Sequence, residues 1–396
     1  MSGESKQSDA AGALIETLHL LWPDADAVTL TRSRRTSRAG HHLIAIPNAA
    51  SPRLLVPLEN RAAASRAMRR FSASLSVKAT AERLAGAAAL RVGGAALFAD
   101  RFSIDHRGDD ALSDHLAEIF GRPVTFSIGV GTARVNRKPI LQVFDERGHS
   151  LAFVKVATGQ ESQVDVRGEA TALERLGTRE WETMEIPRLI HRGEWRGLFL
   201  LVITSLHTRA RQPKRAGPPI RAMDELARSF DEGAQRLDEA PWWDRTIAQA
   251  ELISDPEQRR AYQFAAERLA DLAGARRRAI GAWHGDWTSW NMAWRGERVQ
   301  VWDWERFQTG VPVGLDRYHY YVNDSVVLGG GDIAAAIDRG LRTAGAAPED
   351  REQLVSASSY LLTMASRYLP AAHRDGGHLI RERSVATLEV LDRWLS

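Results

Sequence analysis

The stretch Trp283-His284-Gly285-Asp286-Trp287-Thr288-Ser289-Trp290-Asn291, followed shortly by Val301-Trp302-Asp303-Trp304-Glu305, decides how this 396-residue chain is read. A loop and a short hairpin bring Asp286, Asn291 and Asp303 to one point. Phosphoryl transfer asks a protein for a carboxylate beside the attacking hydroxyl and for hard oxygen ligands to a divalent cation. This stretch offers both. On that reading Asp286 orients a hydroxyl and accepts its proton, while Asn291 and Asp303 hold Mg²⁺, with Glu305 ranked below Asp303. Gly285 allows a tight or left-handed backbone turn just before the aspartate.

Lys155 supplies the second constellation. Of 53 lysines and arginines, only Lys6, Lys78, Lys138, Lys155 and Lys214 are lysines. Where only positive charge is needed this chain uses arginine, so a lysine inside the apolar strand Leu151-Ala152-Phe153-Val154-Lys155-Val156 asks for a reason. Burying an ammonium is costly unless something pairs with it. A helix expected over Arg167 to Leu176 offers Glu169 and Glu174. Glu169 shares a face with Ala172, Leu173 and Leu176, whereas Glu174 falls off that apolar stripe, so Glu169 is the better partner. Gly129-Val130-Gly131-Thr132 lies between two expected strands and offers backbone N–H groups to a polyphosphate, with Arg134 and Lys138 as neighbouring charges. The same glycines suit a plain hairpin turn.

The pattern H-G-D, four residues, N, then an apolar strand ending in D-W-E resembles the catalytic loop and metal-binding segment of the aminoglycoside phosphotransferase family, relatives of the choline kinases. The resemblance implies an α+β, protein-kinase-like two-lobed fold with a small β-rich N-lobe and a larger helical C-lobe. It implies ATP and Mg²⁺, and a hydroxyl of a small molecule as acceptor: a sugar, amino sugar, aminoglycoside or amino-alcohol. It makes Lys155 the strand lysine that grips the α- and β-phosphates, and His284 a structural residue that holds the loop backbone. Asp316, in Gly314-Leu315-Asp316-Arg317-Tyr318-His319, becomes a brace for the catalytic loop. The strand Leu198 to Ile203 becomes the run into a hinge, where backbone groups of Thr204 and Leu206 meet the base. Such contacts do not separate ATP from GTP. Arg134 stands where protein kinases carry a third glycine, and His-Gly-Asp lacks their intervening arginine, which argues against a protein kinase. An aminoglycoside acceptor calls for an acidic pocket from the C-terminal helices, with Asp324, Asp332 and Asp338 as candidates.

Working outward, the order strand, strand, strand, helix, strand, strand over residues 124–203 is that of a kinase small lobe. Three parts are expected: an N-terminal α+β accessory region over 1–108, a β-rich lobe over 109–205 and a helical lobe over 206–396. The resemblance begins near Arg122 and leaves the first part outside it. Eight of the twelve tryptophans fall between Trp242 and Trp304 and suit aromatic walls around a substrate or a packed core.

Composition narrows the classes further. At 44% hydrophobic and 26% charged residues the balance is that of a globular protein. The absence of cysteine excludes disulfides, Cys-ligated zinc and thiol nucleophiles. The chain start has neither the basic segment nor the apolar run of a signal peptide, and no stretch is apolar enough to span a bilayer, so a cytoplasmic protein without a membrane partner is expected. A net charge of +3 and basic clusters without interleaved aromatics argue against nucleic acid. Oligomeric state leaves no signature. Two other readings stand beside the small-molecule kinase: a kinase acting on a polysaccharide precursor, and a nucleotide-binding scaffold that is catalytically weak.

Overall fold

The computed structural model describes residues 12, 14–31, 40–69, 77–106, 108, 110–130, 138–206, 208, 217–374 and 376–396. The chain divides into two compact units, Met1–Gly177 with Pro187–Arg211, and Thr178–Ile186 with Gln212–Ser396.

The first unit is built on one antiparallel sheet of nine strands. They are β1 (Ala27–Thr31), β2 (His41–Ile46), β3 (Leu54–Pro57), β4 (Arg101–Asp105), β5 (Thr125–Gly129), β6 (Ile140–Phe144), β7 (Ser150–Ala157), and, after a short β8 (Met184–Glu185) in the other unit, β9 (Leu189–Trp195) and β10 (Leu198–Thr204). Their order across the sheet is β1-β4-β2-β3-β5-β6-β7-β10-β9. The expected accessory region 1–108 and the expected lobe 109–205 therefore share a sheet, joined where Leu54 pairs with Gly129 and Leu55 with Ile128.

Alternation along the strands explains this continuity. In β2, Leu43 and Ala45 enter one core with helices α1 (residues 14–21) and α4 (Leu112–Phe120), while Ile44 and Ile46 enter a second core on the opposite face. There they meet α2 (Arg61–Met68) and α3 (Val77–Arg91), through Ala63, Ala67, Met68 and Leu90. A sheet covered on both faces needs apolar residues at successive positions, which is why strands such as Leu54–Pro57 read as continuous apolar runs. Helix α5 (Gln160–Gly177) follows β7 and carries Glu169 among its buried residues.

Asn60 fixes α2 against the sheet. Its Oδ1 caps the helix by accepting the Ala63 N–H at 2.9 Å, and its Nδ2 donates to the carbonyls of Asp145 and Glu146 in the β6–β7 turn at 3.2 and 3.1 Å. Gly148 completes that turn at φ 75°, and a Cβ there would collide with the backbone of Ala62 and Ala63.

The second unit is mainly helical: α6 (Ile220–Ser229), α7 (Pro241–Ala248), α8 (Pro256–Ala273), α9 (Leu315–Gly329), α10 (Ile333–Thr343), α11 (Arg351–Ala372) and α12 (His378–Leu395). Trp242, Tyr262, Leu269, Trp283, Leu341, Tyr360 and Leu391 share its core. Two small three-stranded sheets lie in it: β11 (Ala234–Arg236), β12 (Arg277–Trp283) and β15 (Gln308–Pro312) form one, and β8 with the hairpin β13 (Met292–Arg295) and β14 (Arg298–Val301) forms the other. The loop and hairpin that carry Asp286, Asn291 and Asp303 connect these sheets. Among the described residues no helix is long and apolar enough to cross a membrane.

Replacing Asn60 with alanine removes a helix cap and the donors to two turn carbonyls. We expect a loss of about 1–3 kcal/mol, seen as a lower urea midpoint at unchanged slope. An unchanged midpoint would show that other contacts hold the turn.

Candidate active site

In the helical unit, Asp286 is held from two sides. Its Oδ2 accepts from Asn291 Nδ2 at 2.9 Å, and the same Nδ2 reaches the Asp286 carbonyl at 3.0 Å. Its Oδ1 lies 3.0 Å from His319 Nε2. A carboxylate can only accept, so Nε2 carries the proton of that ring. The Asp286 side chain is nonetheless 37% exposed while that of His319 is 3% exposed, which leaves the carboxylate open to a ligand on a fixed support.

The loop backbone is satisfied from beneath. Asp316, in the first turn of α9, accepts the N–H of His284 at 2.7 Å and of Gly285 at 3.1 Å. Arg367, on α11, donates to the Gly285 carbonyl at 2.7 Å and stacks over Trp283 at 4.5 Å. Gly285 sits at φ 79°, and a Cβ there would strike the Arg306 carbonyl, so only glycine lets the two loops pack backbone to backbone.

His284 joins the loop to the segment that carries Asp303. Its Nδ1 accepts the Asp286 N–H at 3.1 Å and its Nε2 donates to the Trp302 carbonyl at 3.1 Å. The Trp302 N–H in turn donates to the Asn291 carbonyl at 3.1 Å. Asp303, next in the chain, is thereby placed beside Asn291. It adopts the left-handed conformation, φ 72° and ψ 58°, at a cost of about 1–2 kcal/mol that a short polar side chain tolerates best.

Burial sets the protonation of this frame. It pulls His284 down to about 4, so the ring is neutral, as its two hydrogen bonds require. It also lowers His319, against the pull of Asp286. Burial pushes Asp316 up to about 7, opposed by the two backbone N–H groups and Arg367. Arg367, drawn down to about 10 by burial, stays charged at neutral pH.

The sheet unit holds the other constellation. Lys155 Nζ meets Glu169 Oε2 at 2.5 Å, with the lysine 8% and the glutamate 0% exposed. Glu174 turns away and pairs with Arg192 at 3.0 Å. Lys138 is taken up by Asp165 at 2.7 Å. Gly129 ends β5 opposite Ile140, whereas Gly131 and Arg134 lie outside the described residues. Thr204, expected at the hinge, has its N–H engaged within the sheet. It is the last residue of β10, its N–H donating to the Arg188 carbonyl at 2.9 Å and its Oγ1 accepting the Arg188 N–H at 2.8 Å. The Leu206 carbonyl accepts from Thr208 at 3.0 Å.

The structure narrows two readings that the sequence left open. Trp242, Trp283, Trp287 and Trp304 are fully buried core residues, because the loops carrying Asp286 and Asp303 need a packed floor. Asp332, which caps α10, and Asp338, which pairs with Arg342 and accepts from Trp394 Nε1, line one cavity whose other charged residues are Arg339, Arg342 and Arg393, while Asp324 lies beside Ser289 and is raised by burial. His319 and Arg367 were missed by sequence reasoning. His319 had one signal, its place one helical turn after Asp316; Arg367, 82 positions from Gly285, had none.

No protein-family model matches the sequence, and no curated protein matches it. Several solved structures align with much of the chain at low identity. Aminoglycoside phosphotransferase APH(4)-Ia, solved as a thermostable mutant with AMP-PNP and hygromycin B, is 15% identical, with 72% of this chain and 97% of that one covered at a TM-score of 0.47. Spectinomycin phosphotransferase APH(9)-Ia is 12% identical over 71% and 98% of the two chains, TM-score 0.38. The amicoumacin kinase hAmiN is 12% identical over 68% and 88%, TM-score 0.42. The fold is α+β, a sheet unit and a helical unit.

Two outcomes test the frame. Glu169→Ala strands a buried ammonium and should cost about 3–5 kcal/mol in chemical denaturation, part of it recovered on adding Lys155→Met. The second concerns pH. The stability due to neutral His284 is present above 6.5 and lost as pH falls through about 4, whereas that due to Asp316 is present below 3.8 and lost as pH rises through about 7. Between pH 4 and 6.5 the two slopes oppose each other. Asp316→Asn leaves the histidine slope alone, so its urea stability should fall on acidification more steeply than the parent's by about 1.4 kcal/mol per pH unit. Equal slopes would refute the raised Asp316 value.

Proposed function

We propose that this protein transfers the γ-phosphoryl group of ATP to a hydroxyl of a small molecule, with Asp286 as the base. The observation that carries the reading is the Asp286 carboxylate, exposed on one side and fixed on the other by Asn291 and His319. In the reaction the acceptor hydroxyl gives its proton to Asp286, its oxygen forms the new bond to the γ-phosphorus, and the bond to the β,γ-bridging oxygen breaks, releasing ADP.

Asn291 and Asp303 fit magnesium. Asn291 Nδ2 is spent on Asp286, which leaves its Oδ1, a hard oxygen, as the ligand atom, with the carboxylate of Asp303 as the second donor. When bound, the ion neutralises phosphate charge. His319 keeps the Asp286 carboxylate from rotating, so that proton acceptance needs no rearrangement. In the sheet unit, Lys155 takes the α- and β-phosphates, with Glu169 keeping its ammonium charged and aimed. A sugar, amino sugar, aminoglycoside or amino-alcohol is the acceptor class.

The decisive measurement is ADP release across a panel of sugars, aminoglycosides, nucleosides and amino-alcohols. Asp286→Ala should lose turnover by about 10²–10⁴-fold while Mg·AMP-PNP affinity holds within a few-fold. Undiminished turnover would remove Asp286 from the mechanism. Nucleotide binding without turnover on any acceptor would favour the scaffold reading.

A further inference from the structure

The sheet unit contains a cavity of about 530 Å³ formed by the N-terminal helices and the β6–β7 hairpin. Arg66, Arg69, Arg91 and Arg147 all line it. No ion pair joins any of the four to a carboxylate among the described residues. Of the acids in the turn that carries Arg147, Asp145 is paired with His149 at 3.0 Å and Glu146 is exposed. Four guanidinium groups around one concavity repel one another and raise the local potential, a cost that an anion removes.

The concavity is held in shape. Asn60 fastens the turn that carries Arg147 to the helix that carries Arg66, and Gly148 lets turn and helix touch through their backbones. Its wall is polar and buried. Gln142, 6% exposed, donates Nε2 to Ser150 Oγ at 2.9 Å, and Ser150 Oγ lies 2.9 Å from Ser205 Oγ. Gln142 Oε1 is buried with no hydrogen-bond partner, and a buried acceptor of that kind calls for a donor. The cavity thus combines charge for an anion with a lone acceptor for a hydroxyl.

We infer that this cavity binds a phosphorylated polyol, its phosphate among the arginines and a hydroxyl donated to Gln142. The guanidinium fork matches phosphate oxygens in pairs, which a lysine cluster would not. Gln142 pairs with Phe153 across the sheet, and Phe153 shares its face with Lys155 two residues on, so the site opens on the same sheet face as the buried ion pair. The four arginines and Gln142 have no role in the proposed activity, but the cavity also borders Leu206 of the expected hinge, so competition with nucleotide is part of its test.

The test is calorimetric titration of the whole protein with glucose 6-phosphate, with glucose as the uncharged control, at low and high salt. Glucose 6-phosphate should bind, glucose should not, and the affinity should weaken with salt. Arg66→Ala/Arg69→Ala should weaken binding by about tenfold or more, and Gln142→Leu by a smaller factor. Arg276→Ala/Arg277→Ala, a basic pair of the other unit, should leave it unchanged. Titration in saturating Mg·AMP-PNP separates the sources of phosphate: retained binding supports a separate site, whereas displacement by AMP-PNP assigns the arginines to the nucleotide and overturns it. No binding, or binding indifferent to the Arg66 and Arg69 changes, overturns it as well. AMP-PNP affinity, read in the same series, reports on the proposed activity independently.

Discussion

A sharp loop whose backbone faces a core must find partners for its N–H groups, and here one buried carboxylate supplies them. Asp316 accepts from both His284 and Gly285, and without it two donors would be stranded at a cost of about 1–3 kcal/mol each. The rest of the helical unit's site follows from that anchoring. With the backbone of residues 284–285 fixed from α9, Asp286 projects next to His319, one turn along the same helix. The neutral His284 ring then converts the position of that loop into the position of Trp302, and so of Asp303. One helix start sets three functional positions.

The sheet unit solves a similar problem with charge. Lys155 and Glu169 are both removed from water, and neither is tolerable alone. Replacing the pair by well-packed apolar residues would be neutral or better for stability, so stability alone does not account for an ion pair there. The arginines of the neighbouring cavity differ in kind. They keep their exposure and hydration, and their spacing is held by Asn60 and Gly148, without any counter-charge. The helices that bring them, α2 and α3, close the second face of the sheet and also shape its polar edge.

What could be read from the sequence was what depends on local spacing. Asp286, Asn291 and Asp303 lie within 18 positions, and the preference for Glu169 over Glu174 needed only the helical period. The junction of the first hundred residues with the sheet was not legible, because β3 pairs with β5 across more than 70 positions and no local pattern encodes a register of that span. Tryptophan crowding was visible but ambiguous, since a substrate wall and a core use the same residues; burial decides for core at Trp283, Trp287 and Trp304. Asp332 and Asp338 of the C-terminal helices do share a cavity, but with Arg339, Arg342 and Arg393 around them, a grouping that no spacing in the sequence announced. Asp338 with Arg342 is an ordinary i,i+4 pair on one helix.

The uneven use of cations ties these levels together. At Arg367 the site needs one group that donates to the Gly285 carbonyl, reaches Gln308 at 3.3 Å and lies flat on Trp283. A planar guanidinium does all three and stays charged even with burial drawing it to about 10, whereas an ammonium there would satisfy one contact and lose its charge more readily. At Lys155 the demand is the reverse. The cation stands in a strand beside Phe153, presses on one carboxylate and is almost wholly enclosed, a space that suits a compact point charge on a narrow stem. In a chain where arginine is the default, lysine persists where the fork would not fit, and that scarcity is what made position 155 stand out before any fold was known.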